Sequence, residues 1–108
     1  MEMKIDRSKV YDNKNDFIIL DGSAIMRLSP SAAIDLCVSA ADASLFILGV
    51  EGGIWRDGIF EARLDAIWDG DFEAESMNDI QENNASAARF IERERLKHNA
   101  FVLTTRKI

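Results

Sequence analysis

Reactive side chains are scarce in this chain: it has one cysteine, one histidine and one proline in 108 residues. A single thiol, Cys37, excludes an intramolecular disulfide framework. With His98 as the only imidazole, a Cys/His zinc site lacks its ligands. No Gly-x-Ser-x-Gly elbow is present to carry a nucleophilic serine. Gly49-Val50-Glu51-Gly52-Gly53 lacks the Lys-Ser/Thr that completes a phosphate loop, and its glutamate would repel phosphate. Asp69-Gly70-Asp71 has the start of a calcium loop without the 12-residue pattern and its terminal glutamate. The sequence therefore predicts no catalytic, cofactor-binding or metal-binding residues. Cys37 is expected to serve as a small hydrophobe on a helix. His98, near a helix end, is expected to complement the helix dipole or pack at a rim.

Long apolar runs are missing too, and none approaches the ~20 residues needed to cross a bilayer. The polar opening stretch MEMKIDRSKVYDNKND contains no apolar signal segment, so the expected compartment is the cytoplasm. Basic residues number 13 against 19 acidic ones. That balance argues against direct binding to nucleic acid or an anionic membrane, which requires clustered lysine and arginine. A hydrophobic content of 47% is too high for disorder. The expectation is one folded domain over 1–108, with 1–15 as a loose lead-in or short edge element.

What the chain does have is acid, unevenly placed. Between Glu51 and Glu82 stand ten acidic residues against Arg56 and Arg63, a local charge of −8 where the whole chain carries −6. Charge sorted in this way creates a field that attracts a basic partner and speeds its arrival. Aromatic residues lie in or beside the same segment, and aromatic anchors amid charge are typical of protein–protein hot spots. Phe72, flanked by Asp71 and Glu73, is the hardest to bury and is the preferred anchor. Trp55, between Gly-Gly and a turn, is the second. Trp68 continues an apolar alternation and is expected to pack in the core.

Local patterns give the element order. Phe17–Leu20 and Ala24–Leu28 read as strands joined by a hairpin turn at Asp21-Gly22. Ser29-Pro30 starts a helix, with Ile34, Cys37, Val38 and Ala41 as its buried stripe. Residues 45–50 form a central strand, broken by Gly52-Gly53 before a short strand at Ile54-Trp55. Phe60, Ala62, Leu64, Ala66 and Trp68 alternate with polar residues, favouring a half-buried strand with a helix as the alternative. Residues 69–76 are an acidic loop. A second helix runs from Met77 to His98, capped by Ser76 and Asn99, with Met77, Ile80, Ala87, Ala88 and Ile91 buried. Phe101–Thr105 closes as a strand. The order β-β-α-β-β-α-β predicts an α+β two-layer sandwich, a mainly antiparallel sheet with two helices on one face. If the first hairpin is one bent strand, the order becomes the ferredoxin-like β-α-β-β-α-β.

The text FIILDGSAIMRLSPSAAIDLCVSAADASLFILGVEGGIW, then GIFEARLDAIWDG and the ending FIERERLKHNAFVLTT, resembles small bacterial immunity proteins. These are the cognate antitoxins of contact-dependent growth inhibition and colicin-like toxins. The resemblance implies a cytoplasmic inhibitor that binds one toxin domain and has no catalytic residues of its own. Many such toxins are nucleases with basic substrate channels, which an acidic inhibitor can fill as a charge mimic. On that reading Asp57, Asp69, Asp71, Glu73 and Glu75 supply complementary charge, with Phe72 and Trp55 as anchors. Two other functions fit the same residues: a regulatory or structural subunit docking through a sheet edge, and a small carboxylate-dependent enzyme.

Overall fold

The computed structural model describes residues 5–22 and 25–108. In chain order the elements are β1 (Val10–Tyr11), α1 (Lys14–Ile19), β2 (Arg27–Leu28), α2 (Pro30–Ser39), β3 (Leu45–Arg56), β4 (Ile59–Asp69), α3 (Met77–Glu94) and β5 (Ala100–Lys107). The strands form one five-stranded sheet in the order β1-β2-β5-β3-β4. Only β1 and β2 run parallel; the other neighbours are antiparallel. The helices make the second layer, with α2 packed against both α1 and α3. This is the expected two-layer α+β sandwich, and β2 through β5 reproduce the β-α-β-β-α-β run. One main core joins Phe17 of α1, Leu36 of α2, Ile91 of α3 and Phe101 and Leu103 of β5.

The first expected strand is instead a helix. Asn13 caps α1, its side-chain oxygen accepting the Asn15 N–H at 2.8 Å, and Phe17 points into the core while Ile18 and Ile19 face outward. Asp21-Gly22 is then a helix terminus, not a hairpin turn. Asp21 takes φ 51°, its N–H donates to Ile18 O and the Gly22 N–H donates to Phe17 O at 2.7 Å. That is the paired-bond ending that closes helices through a left-handed residue. The Asp-Gly signal was genuine, but it has two uses. Of the expected strand 24–28, only Arg27–Leu28 is strand; Ala24, like residues 1–4 of the lead-in, lies outside the described residues.

Ser29 and Ser76 cap their helices as expected, accepting from the N–H groups of Ala32 and Asp79. The buried face of α2 is rotated from the expected stripe. Ala33, Leu36, Cys37 and Ala40 are buried, while Val38 is 72% exposed. An alanine-rich helix offers two faces of similar spacing, and the neighbouring layer chooses between them. In α3, Met77 is exposed and the helix ends at Glu94, with Arg95 as its cap.

Gly52-Gly53 does not break β3, which runs through both. A Cβ on Gly52 would lie 2.9 Å from the Phe101 ring and 3.0 Å from Ala66 Cβ; one on Gly53 would strike the Glu61 carbonyl. The two glycines let β4 and β5 close on β3. Asparagine side chains then complete both ends of this strand. At the start, before β4 pairing begins, the Ile47 N–H donates to Asn84 Oδ1 (3.0 Å). There Asn84 Nδ2 donates to Leu45 O (3.0 Å) and Asn83 Nδ2 to Ile47 O (2.9 Å). At the far end the Trp55 N–H donates to Asn99 Oδ1 (2.7 Å), and Asn99 Nδ2 donates back to Trp55 O. Asn99 is thus a strand clasp and not the expected helix cap.

Candidate functional site

The acidic segment folds into a hairpin, a loop and the start of α3, and their junction forms an open cleft of about 330 Å³. Trp68, Asp69, Gly70 and Asp71 supply one wall; Asp79, Glu82, Asn83 and Ser86 supply the other. Gly70 permits the junction. Its N–H donates to Leu48 O at 2.8 Å, and a Cβ there would come within 2.5 Å of Ile47 O. Asn83 holds the walls together, since its Oδ1 accepts the Asp71 N–H (2.7 Å) while its Nδ2 bonds β3. Asp71 in turn accepts the Glu73 N–H through Oδ1 (3.0 Å), a tight side-chain turn. Ala74, two residues beyond Phe72, packs inward with Phe46 and Ile80. The loop is pinned at both ends, so Phe72 stands out 68% exposed, with Glu73 and Glu75 exposed beside it.

Four carboxylates therefore share one cleft: Asp69, Asp71, Asp79 and Glu82. Asp79 sits in the first turn of α3, where a negative charge complements the helix dipole. Glu82 pairs with Arg89 at 2.6 Å, both side chains solvated, so that contact adds little stability. Such a surface can receive cationic side chains. Among the described residues, no three His, Cys, Asp or Glu side chains converge as a metal site would require. Burial pushes the Cys37 thiol up to about 12, so it stays protonated near neutral pH. His98 is buried at the opposite end of α3, with Nε2 3.3 Å from a Glu94 carboxylate oxygen.

The sequence-predicted residues divide into two places. Asp69 and Asp71 line the cleft, and Phe72, Glu73 and Glu75 continue from it in one loop. Trp55 and Asp57 lie at the other end of the β3–β4 hairpin, Trp55 six residues along β3 from Gly49, the partner of Asp69, roughly 20 Å at strand rise. Asp57 and Gly58 both take positive φ, 52° and 79°, as a two-residue hairpin turn requires. Trp55 is half-buried and registered with Phe60. Sequence reasoning missed Asp79, Glu82 and Asn83 as partners of the loop; Trp68 packs against the core as expected and also lines the cleft. One signal was available. Asn83-Asn84 interrupts the buried stripe of α3, and buried amides require partners.

Comparison with known proteins covers most of the chain. A sequence model of the Colicin-E5 Imm protein family matches residues 26–106. An "Immunity protein CdiI" of Burkholderia pseudomallei is 42% identical over 106 residues, covering 98% of this chain and 97% of its own. A "Colicin-E5 immunity protein" of Escherichia coli is 39% identical over 80 residues, 73% of this chain and 96% of its own. A second Escherichia coli protein, "Colicin-E5 immunity protein in ColE9", is 38% identical with the same coverage.

Proposed function

The chain belongs to the colicin-E5 immunity protein family, and from that premise we propose that it neutralises one cognate toxin domain by covering a basic surface of it. Its role is that of an immunity protein. The toxin is a nuclease whose substrate channel is positively charged, and the inhibitor acts in the cytoplasm as a stoichiometric binder, not as an enzyme. No helix among the described residues is long and apolar enough to cross a membrane.

The observation that carries this reading is the convergence of Asp69, Asp71, Asp79 and Glu82 on one cleft beside the exposed Phe72. Basic side chains of the toxin enter the cleft, Glu73 and Glu75 extend the field, and Phe72 gives an apolar anchor in the middle of it. Steering of this type raises association rates by ~10–10³-fold at low salt. Close charge pairs that become buried couple by ~1.5–7 kcal/mol. Trp55 and Asp57 form a second, distal contact with the toxin at the far end of the hairpin.

Kinetics against the cognate toxin domain test this. Asp71→Lys with Glu73→Lys should slow association at least ~10-fold at low salt, with a smaller effect at 0.5 M salt where charges are screened. Asp71→Asn, which keeps the side-chain turn, separates charge from loop geometry. Unchanged low-salt affinity in the double variant removes the cleft from the interface.

A further inference from the structure

The β3–β4 pairing contains an irregularity that neither charge nor core packing accounts for. Glu51 is registered with Ile67 and Gly53 with Ala62, so four residues of β4, Arg63 to Ala66, stand opposite Gly52 alone. Ala66 turns inward and is buried against the Gly52 backbone. The three residues before it bulge from the sheet, and Leu64 is 91% exposed. On the same strand Ile59 is 68% and Ile67 47% exposed. β4 is also the last strand of the sheet, with Ile59 and Ile67 on opposite faces of it and the Leu64 bulge on its open edge.

Bulges commonly blunt such edges against unwanted pairing, and they re-aim a side chain. Arg63 and Asp65 on this bulge suit such a guard, but the leucine between them, almost fully exposed, does not serve it. We infer that the bulge of β4 at Leu64, with Ile67 beside it, is a second apolar contact of the toxin interface, apart from Phe72. It rests on the immunity function proposed above. The occupant is a basic protein and not a second copy of this chain. From Asp57 to Asp69 the strand and its turn carry four acids against Arg63, so two copies meeting along this rim would bring two net-negative segments together. The same acids repel nucleic acid. A basic toxin instead gains charge complementarity at Asp65 and Asp69 while Leu64 fills an apolar pocket, the arrangement of a hot spot inside a polar rim.

The test is binding of the toxin domain from the gene adjacent to this chain's own, measured as separate association and dissociation rates. Leu64→Ala should raise the dissociation rate at least ~10-fold while leaving association and its salt dependence near wild type. Leu64→Arg should do more. Both variants keep the fold, because the side chain touches little of it, and circular dichroism checks this. Wild-type dissociation in both variants overturns the inference alone, with the acidic cleft still judged by Asp71→Lys/Glu73→Lys. Normal binding by that double variant with loss at Leu64 keeps this surface and removes the cleft. A Leu64-dependent dimer in analytical ultracentrifugation without toxin overturns it in favour of a second copy.

Discussion

β3 and β4 are the two arms of one hairpin, built in opposite ways. β3 buries Phe46, Ile47 and Val50, and asparagine amides satisfy its polar backbone where neighbouring strands run out. β4 buries Ala66, leaves Ile59, Leu64 and Ile67 exposed, and has its outer edge open. The contrast separates two tasks. One arm holds the fold together, and the other offers surface. Substitutions in the first should cost stability; those in the second should cost binding.

The sharpest way to break this contrast is Gly53→Ala on β3. The added methyl would meet the Glu61 carbonyl, and backbone does not shift cheaply, so destabilisation of about 3 kcal/mol, the upper end of ordinary overpacking, is expected. Urea titration measures it, and a stable Gly53→Ala protein would mean that β3 and β4 can separate at little cost. Next comes Asn84→Ala, which strips Ile47 and Leu45 of their side-chain partners. A buried unsatisfied donor costs about 1–3 kcal/mol, so the urea midpoint should fall with an unchanged slope. Toxin affinity of the folded fraction should not move. The smallest effect belongs to Ile59→Thr on β4, expected within about 0.5 kcal/mol of wild-type stability as for other surface changes. A large loss there would show that the outer rim of β4 contributes to the core after all.

Much of this architecture was legible from short-range chemistry. Ser29-Pro30 and Ser76 mark helix starts by groups three residues apart, and both held. The acidic loop was legible for the same reason: Asp69, Asp71, Phe72, Glu73 and Glu75 are close in sequence and stay close in space. Phe17–Leu20 misled because a four-residue apolar run suits a strand or a buried helix turn equally. Only the Asn13 cap and the single buried face decided for the helix. The β4 alternation misled in another way. Phe60 and Trp68 share parity, yet Phe60 is registered with Trp55 and Trp68 with Val50, which lie on opposite faces of β3. Three extra residues in the bulge reverse the alternation between them.

By itself the sequence determined the scarcity of thiol and imidazole groups, which is composition alone. It also determined the segregation of charge and the helix starts, which depend on residues near one another in the chain. Tertiary structure decided which carboxylates share a cleft, that Trp55 and Asp57 stand apart from them, and that Leu64 faces outward. Those outcomes turn on strand register, on a bulge opposite Gly52 and on two asparagines bonding a strand some 36–39 residues away. No local pattern encodes pairings at that range, since they form only when the whole sheet closes around its core.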